Sequence, residues 1–188
     1  MNIKKILYAP TFRECYQNEE SIFKNFGLMG NELQIYLEQA EVELDIKLHP
    51  YSKIKSELIN ITSVNERINI INIEDVSSVF SEYDLLITDY SSLMFDFTIL
   101  KKPVLISSFD LSDYMIDERG FYINFELELL SIMCRDWNDI IVKIKEMNEK
   151  KHYKVPRILE PLVLDETNLQ ECKLPYSTAL YEKIKKIL

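Results

Sequence analysis

The chain has two histidines, His49 and His152. Only His49 closes an expected strand, Asp45-Ile46-Lys47-Leu48, which is stopped by His49-Pro50. An imidazole at a strand end can serve as acid, base or phosphate donor near neutral pH. It can equally cap loop carbonyls. His152 sits in a Lys-rich stretch and reads as surface. A second candidate is Pro10-Thr11-Phe12-Arg13, directly after the run Ile6-Leu7-Tyr8-Ala9. Proline fixes the chain as it leaves the strand. A hydroxyl and a guanidinium then offer donors to phosphate oxygens, although a plain loop exit with a surface Arg13 has the same sequence. The third is Thr88-Asp89-Tyr90-Ser91-Ser92, with Asp96 one turn further on. Ser91 and Ser92 open a helix, where free N–H groups and hydroxyls can hold an anion or merely form an N-cap. Asp96 is four residues beyond Ser92, so the two share a side of the helix.

These segments need strands to aim them. Buried strands are expected at Ile6–Ala9, Asp45–Leu48, Ile68–Ile73, Asp84–Thr88 and Pro103–Ser107. Helices are expected at Glu32–Glu41, Ser77–Tyr83, Ser91–Leu100 (apolar nearly all round, hence buried), Trp137–Asn148 and Ser177–Leu188. The stretch from Asp110 to Phe125, with Asp113, Asp117 and Glu118, reads as an acidic functional loop; it lacks the spacing of a metal site. Strands alternating with helices imply an α/β fold: a Rossmann-like parallel sheet with helices on both faces. In such sheets ligands bind beyond the carboxyl ends of the strands, where all three segments fall. Residues 1–150 read as one domain, and 151–188 as a linker and a C-terminal helix packing back on it.

Several function classes are excluded. A net charge of -9 disfavours nucleic acid as a partner. The three glycines, Gly27, Gly30 and Gly120, form neither a dinucleotide fingerprint nor a P-loop. Cys15, Cys134 and Cys172 are too few and too far apart for a disulfide framework or a zinc site, which fits a reducing cytosol. No secretory leader or spanning segment is apparent, so contact with a membrane would be peripheral. Six Lys or Arg against two Glu between Lys143 and Arg157 would suit the inner face of a membrane, or simply a solvated helix and linker.

The order and wording of the segments go further. Ile-Leu-Tyr-Ala-Pro-Thr-Phe-Arg (6–13), Lys-Leu-His-Pro (47–50), Leu-Ile-Thr-Asp-Tyr-Ser-Ser-Leu-Met-Phe-Asp-Phe (86–97), Lys-Lys-Pro-Val (101–104) and Arg-Gly-Phe-Tyr (119–122) resemble the CDP-glycerol glycerophosphotransferase family, over roughly residues 5 to 145. The resemblance implies the C-terminal, donor-binding half of a GT-B architecture. By position, Pro10 and Thr11 would contact the donor, and Lys47, Leu48 and His49 would form a second contact. Lys47 stands where the family usually has Arg. Ser91 and Ser92 would bind the pyrophosphate, Asp96 would hold the glycerol end, and His49 would be catalytic.

The implied reaction is transfer of glycerol phosphate from CDP-glycerol to a hydroxyl on a polyol-phosphate or lipid-linked glycan acceptor, without cofactor or metal. The resemblance places the family's other catalytic histidine in an N-terminal domain, expected to lie outside this sequence. The expectation is therefore little activity from this chain unless a separate N-terminal half completes it. A non-catalytic nucleotide-binding module, and a related transferase using CDP-ribitol or a nucleotide sugar, fit the same residues.

Overall fold

The computed structural model describes residues 1–14, 16–52, 65–117 and 124–163. Six strands form one parallel sheet: β1 (Lys5–Ala9), β2 (Glu43–Lys47), β3 (Ile68–Ile71), β4 (Leu85–Thr88), β5 (Val104–Ser107) and β6 (Met133–Cys134). Their order is β3-β2-β1-β4-β5-β6, and every pairing is parallel. All four residues of β4 and of β5 are buried. Successive strand residues point to opposite faces, so both faces of the sheet must be covered. The five strands expected from sequence are all present, within a few residues of their expected ends. The expected Rossmann-like class holds, and the order reverses between β1 and β4, the topological switch point of this fold.

Helices α1 (Tyr16–Asn25) and α2 (Asn31–Ala40) connect β1 to β2. The α2 stripe of Leu33, Tyr36 and Leu37 is buried, as its i, i+3, i+4 spacing requires. Gly27 lies between these helices at φ +94°, and a Cβ there would sit 3.4 Å from Cβ of Trp137. The positive φ is what calls for glycine at this turn. Helix α6 (Trp137–Lys150) starts where the Asp136 carboxylate accepts from the Asp139 N–H at 2.8 Å, an N-cap. It buries Trp137, Ile140, Ile141, Ile144 and Met147 along one face.

Two departures from expectation concern the crevice side. Helix α3 (Leu93–Thr98) is only six residues long. It buries Met94, Phe97 and Thr98 but exposes Phe95 and Asp96, so it is not apolar all round. The acidic segment after β5 is not a loop throughout, because Leu111–Asp117 forms α4 and Phe125–Leu129 forms α5. Arg119–Tyr122 of the resemblance, and the helix expected from Ser177, lie outside the described residues. Beyond α6, His152 is exposed as expected, while Leu159 is fully buried and the Tyr153 hydroxyl donates to the Val104 carbonyl at 3.3 Å. Among the described residues no helix is long and apolar enough to cross a membrane.

Candidate functional site: a crevice at the sheet switch point

Strands β1 and β4 are neighbours, with Ala9 paired to Thr88. Their exits therefore emerge side by side, and a staple of polar bonds joins them. The Asp89 carboxylate is 1% exposed. It accepts from the Thr11 N–H at 2.9 Å, the Thr11 hydroxyl at 2.5 Å and the Tyr90 N–H at 2.7 Å. Arg13 closes the arrangement. Its guanidinium donates to Asp89 at 3.0 Å and, through Nε and one terminal nitrogen, to both oxygens of Asp110 at 2.8 and 3.0 Å. It also donates to the Thr11 carbonyl at 2.9 Å. The rings of Tyr90 and Tyr114 lie 5.2 and 5.0 Å from it, within cation–π range.

The fork geometry suits a carboxylate because two parallel bonds share the charge. Burial pulls the Arg13 guanidinium down, but the hydrogen bond to Asp110 and the charge of Asp89 more than offset it. The net effect holds Arg13 above its ordinary range. Burial, then the charge of Asp110, pushes the Tyr90 phenol well up. Its hydroxyl stays protonated and donates to Asp110 at 3.0 Å.

Above this staple lies a crevice of about 600 Å³, within the usual range for small-molecule sites. The β1 exit lines it with Pro10, Thr11, Phe12 and Glu14, and the β2 exit with Lys47, Leu48 and His49. Glu74 and Val76 come from beyond β3, and Ser91 and Leu93 from beyond β4. The Lys47 ammonium donates to the Leu48 carbonyl at 2.9 Å. The Tyr51 N–H approaches His49 Nδ1 at 3.3 Å. With Nδ1 accepting, the ring proton of neutral His49 sits on Nε2. Phe12 packs against the imidazole, centroids 5.1 Å apart.

The expected site residues divide into two groups. Pro10, Thr11, Lys47, Leu48, His49 and Ser91, from three separate strand exits, meet in one crevice. Arg13, Ser92 and Asp96 do not line it. Arg13, expected to offer its guanidinium to a phosphate, turns inward because buried Asp89 and partly buried Asp110 claim it. Asp96 does share a side of α3 with Ser92, but that side faces out. Leu93 turns toward the crevice and Met94, Phe97 and Thr98 into the core. Asp96 instead borders a groove with Ser77, Phe80, Ser81 and Leu100.

Bond accounting also narrows the donors. The N–H and hydroxyl of Thr11 are both given to Asp89, so Thr11 shapes the floor. Ser91 Oγ accepts from the Leu93 N–H at 3.2 Å and keeps its own proton to donate.

Asp89 and Tyr90 stand inside the third segment and Asp110 opens the acidic stretch, but none of them was expected to pair with Arg13. Asp89 had one available signal. A carboxylate directly after a fully apolar strand is carried inside and needs a partner.

The sequence profile described as CDP-Glycerol:Poly(glycerophosphate) glycerophosphotransferase matches residues 1–160. The teichoic acid glycerol-phosphate transferase of Staphylococcus aureus is 30% identical over 153 residues, covering 78% of this chain and 36% of that protein. The teichoic acid ribitol-phosphate polymerase TarL of the same organism is 33% identical over 125 residues, 65% of this chain and 21% of its own length. A structure of the wall teichoic acid polymerase TagF superposes with a TM-score of 0.57 at 29% identity, covering 79% of this chain and 35% of that one. The chain thus spans about a third or less of the length of these relatives. The matched profile takes in β1 to β6 and all four exits that build the crevice, and the chain belongs to the CDP-glycerol:poly(glycerophosphate) glycerophosphotransferase family.

Proposed function

We propose that this chain binds the CDP-activated donor of a polyol-phosphate transferase, with CDP-glycerol the preferred donor, for teichoic-acid-like polymer synthesis. The observation that carries this reading is the convergence of Lys47, His49 and Ser91 over the β1–β4 switch point. An ammonium, a ring N–H and a hydroxyl are three kinds of donor suited to a pyrophosphate. The six-residue α3 adds little dipole, so these side chains carry most of the attraction.

In the reaction, an acceptor hydroxyl oxygen bonds to the phosphorus bearing the polyol. The bond from that phosphorus to the bridging oxygen breaks, and CMP departs with that oxygen and its negative charge. Donors fixed toward the leaving phosphate lower the barrier. His49 Nε2 supplies one and Lys47 another. The acceptor's proton must go to a base, and this reading assigns that role to no residue of the chain. Asp89, Arg13 and Asp110 act beneath, holding the β1 and β4 exits in register. Glycerol and ribitol relatives are both represented, and the polyol end of the donor would lie away from the pyrophosphate contacts described.

Calorimetric titration with CDP-glycerol, CDP-ribitol and a UDP-sugar tests the proposal. CDP-glycerol should bind most tightly, and His49→Ala and Lys47→Ala should each weaken it by roughly tenfold, the loss expected for one charge-assisted bond. Failure of the folded chain to bind any of the three would refute it.

A further inference from the structure

Two carboxylates line a crevice that is otherwise supplied with donors for an anion: Glu14 and Glu74. A carboxylate beside a pyrophosphate repels it, so each must face another part of the ligand or solvent. Their places in the fold separate them. The strand order sets the exits across the crevice as β3, β2, β1, β4. Glu74 follows β3 at the outer end. Lys47 and His49 follow β2, Thr11 and Glu14 follow β1, and Ser91 follows β4. Three strand spacings make this span roughly 14 Å, comparable with an extended nucleoside diphosphate. With the phosphates over Lys47, His49 and Ser91, one end of a nucleotide reaches Glu74.

The surroundings of Glu74 suit a flat, partly apolar group. Val76, 8% exposed, lines the crevice next to it, and Leu48 lies on the β2 side. Asp75 is consumed locally, because its carboxylate accepts from the Ser77 N–H at 2.9 Å and the Ser77 hydroxyl at 2.6 Å. That Asx cap fixes the backbone immediately after Glu74. Glu74 itself is exposed to the crevice and makes no hydrogen bond or ion pair among the described residues.

We propose that Glu74 reads the nucleobase: its carboxylate accepts from the exocyclic amine of cytosine and rejects uracil, whose carbonyl oxygen at that position is a second acceptor. This rests on the donor-site reading above and names a contact that reading leaves open. A carboxylate accepting from the cytosine amine is a known mode of base discrimination, and one such contact separates right from wrong base by about tenfold or more. The mechanism is an unpaired acceptor facing an acceptor, so the discrimination falls mainly on uracil.

The test is the ratio of CDP to UDP affinity, measured calorimetrically on the full chain and on Glu74→Gln, Glu14→Gln and a 2′-deoxy-CDP control. The unaltered chain should prefer CDP by about tenfold or more. Glu74→Gln can turn its amide to give a donor to the uracil oxygen, so the ratio should fall toward one. Glu14→Gln removes the same charge from the same crevice and should leave the ratio intact. A ratio unmoved by Glu74→Gln overturns the proposal alone. So does an equal loss for CDP and UDP that 2′-deoxy-CDP escapes, which would make Glu74 a ribose contact. Absence of binding by both nucleotides, in a folded chain, refutes the donor-site reading and this one together. Glu74 is exposed, so the variants should fold, and circular dichroism checks that.

Discussion

The floor and the rim of the crevice come from the same strand exits, yet they use polar residues in opposite ways. On the floor, Arg13, Asp89, Asp110 and Tyr90 satisfy one another, with Arg13 and Asp89 2% and 1% exposed. On the rim, Lys47, His49, Glu74 and Ser91 line the crevice and are less buried. A buried charge must be paired to exist at all, so the floor is fixed by the fold's own needs. A half-exposed charge is hydrated and cheap to keep, so the rim is free to answer to a ligand. The contrast predicts that floor substitutions act on stability and rim substitutions on binding.

The largest effect should come from the floor. Arg13→Ala leaves Asp89 and Asp110 facing each other unpaired, and should cost about 3–5 kcal/mol in a urea titration. Arg13→Lys cannot form the fork and should recover only part of this. A loss below about 1 kcal/mol would mean that the pair behaves like a surface ion pair.

Alkaline pH attacks the same layer. Burial, and then the charge of Asp89, raises the Tyr8 phenol, as burial and then Asp110 raise Tyr90. The folded values are raised, so their contribution is whole below the ordinary value of 10.0. It drains as pH climbs through the range above. The expected slope is on the order of 1 kcal/mol per pH unit for fully buried Tyr8. Tyr90→Phe should make the measured slope shallower; an unchanged slope would remove Tyr90 from the account.

Rim substitutions should leave the unfolding midpoint unmoved while affinity for CDP-glycerol falls, by roughly tenfold for His49→Ala. Thr11→Val straddles the two regions. It removes the hydroxyl bond to Asp89 and should cost about 1 kcal/mol of stability, with a small secondary loss of affinity. The smallest effect belongs to Ser92→Ala and Asp96→Asn, which face away from the crevice and should alter nucleotide binding by less than about twofold. A large loss at Asp96 would return the polyol end of the donor to the outer face of α3.

The sheet was legible in the sequence because buried parallel strands are short apolar runs closed by turn residues, and β1, β4 and β5 all have that form, while β2 alternates charged and apolar residues before His49-Pro50. β6, two residues long, carries too little pattern to be seen. Helix α1 was missed because its sequence, YQNEESIFKN, is mostly polar, with Ile22 and Phe23 its apolar anchors in the core. For the site, position after a strand located Thr11, Lys47, His49 and Ser91 correctly at the crevice. It could not say which way a side chain turns. Arg13 and Ser91 have similar sequence credentials. One faces inward because Asp110, 97 residues away, arrives at its guanidinium, and local pattern holds no trace of that contact. Asp96 shows the converse limit. Helical spacing fixed its side relative to Ser92 but not the rotation of α3 about its axis, which Met94 and Phe97 set by entering the core.

The division between floor and rim is tested most directly by the backbone amide spectrum of the chain during titration with CDP-glycerol. The account predicts that the amides of residues 47–49, Glu74 and Ser91 shift in a saturable manner. Those of Asp96 and Leu100 should hold still, and Arg13 should move only slightly. Saturable shifts centred on Asp96 and the groove beside it, with residues 47–49 unmoved, would contradict it.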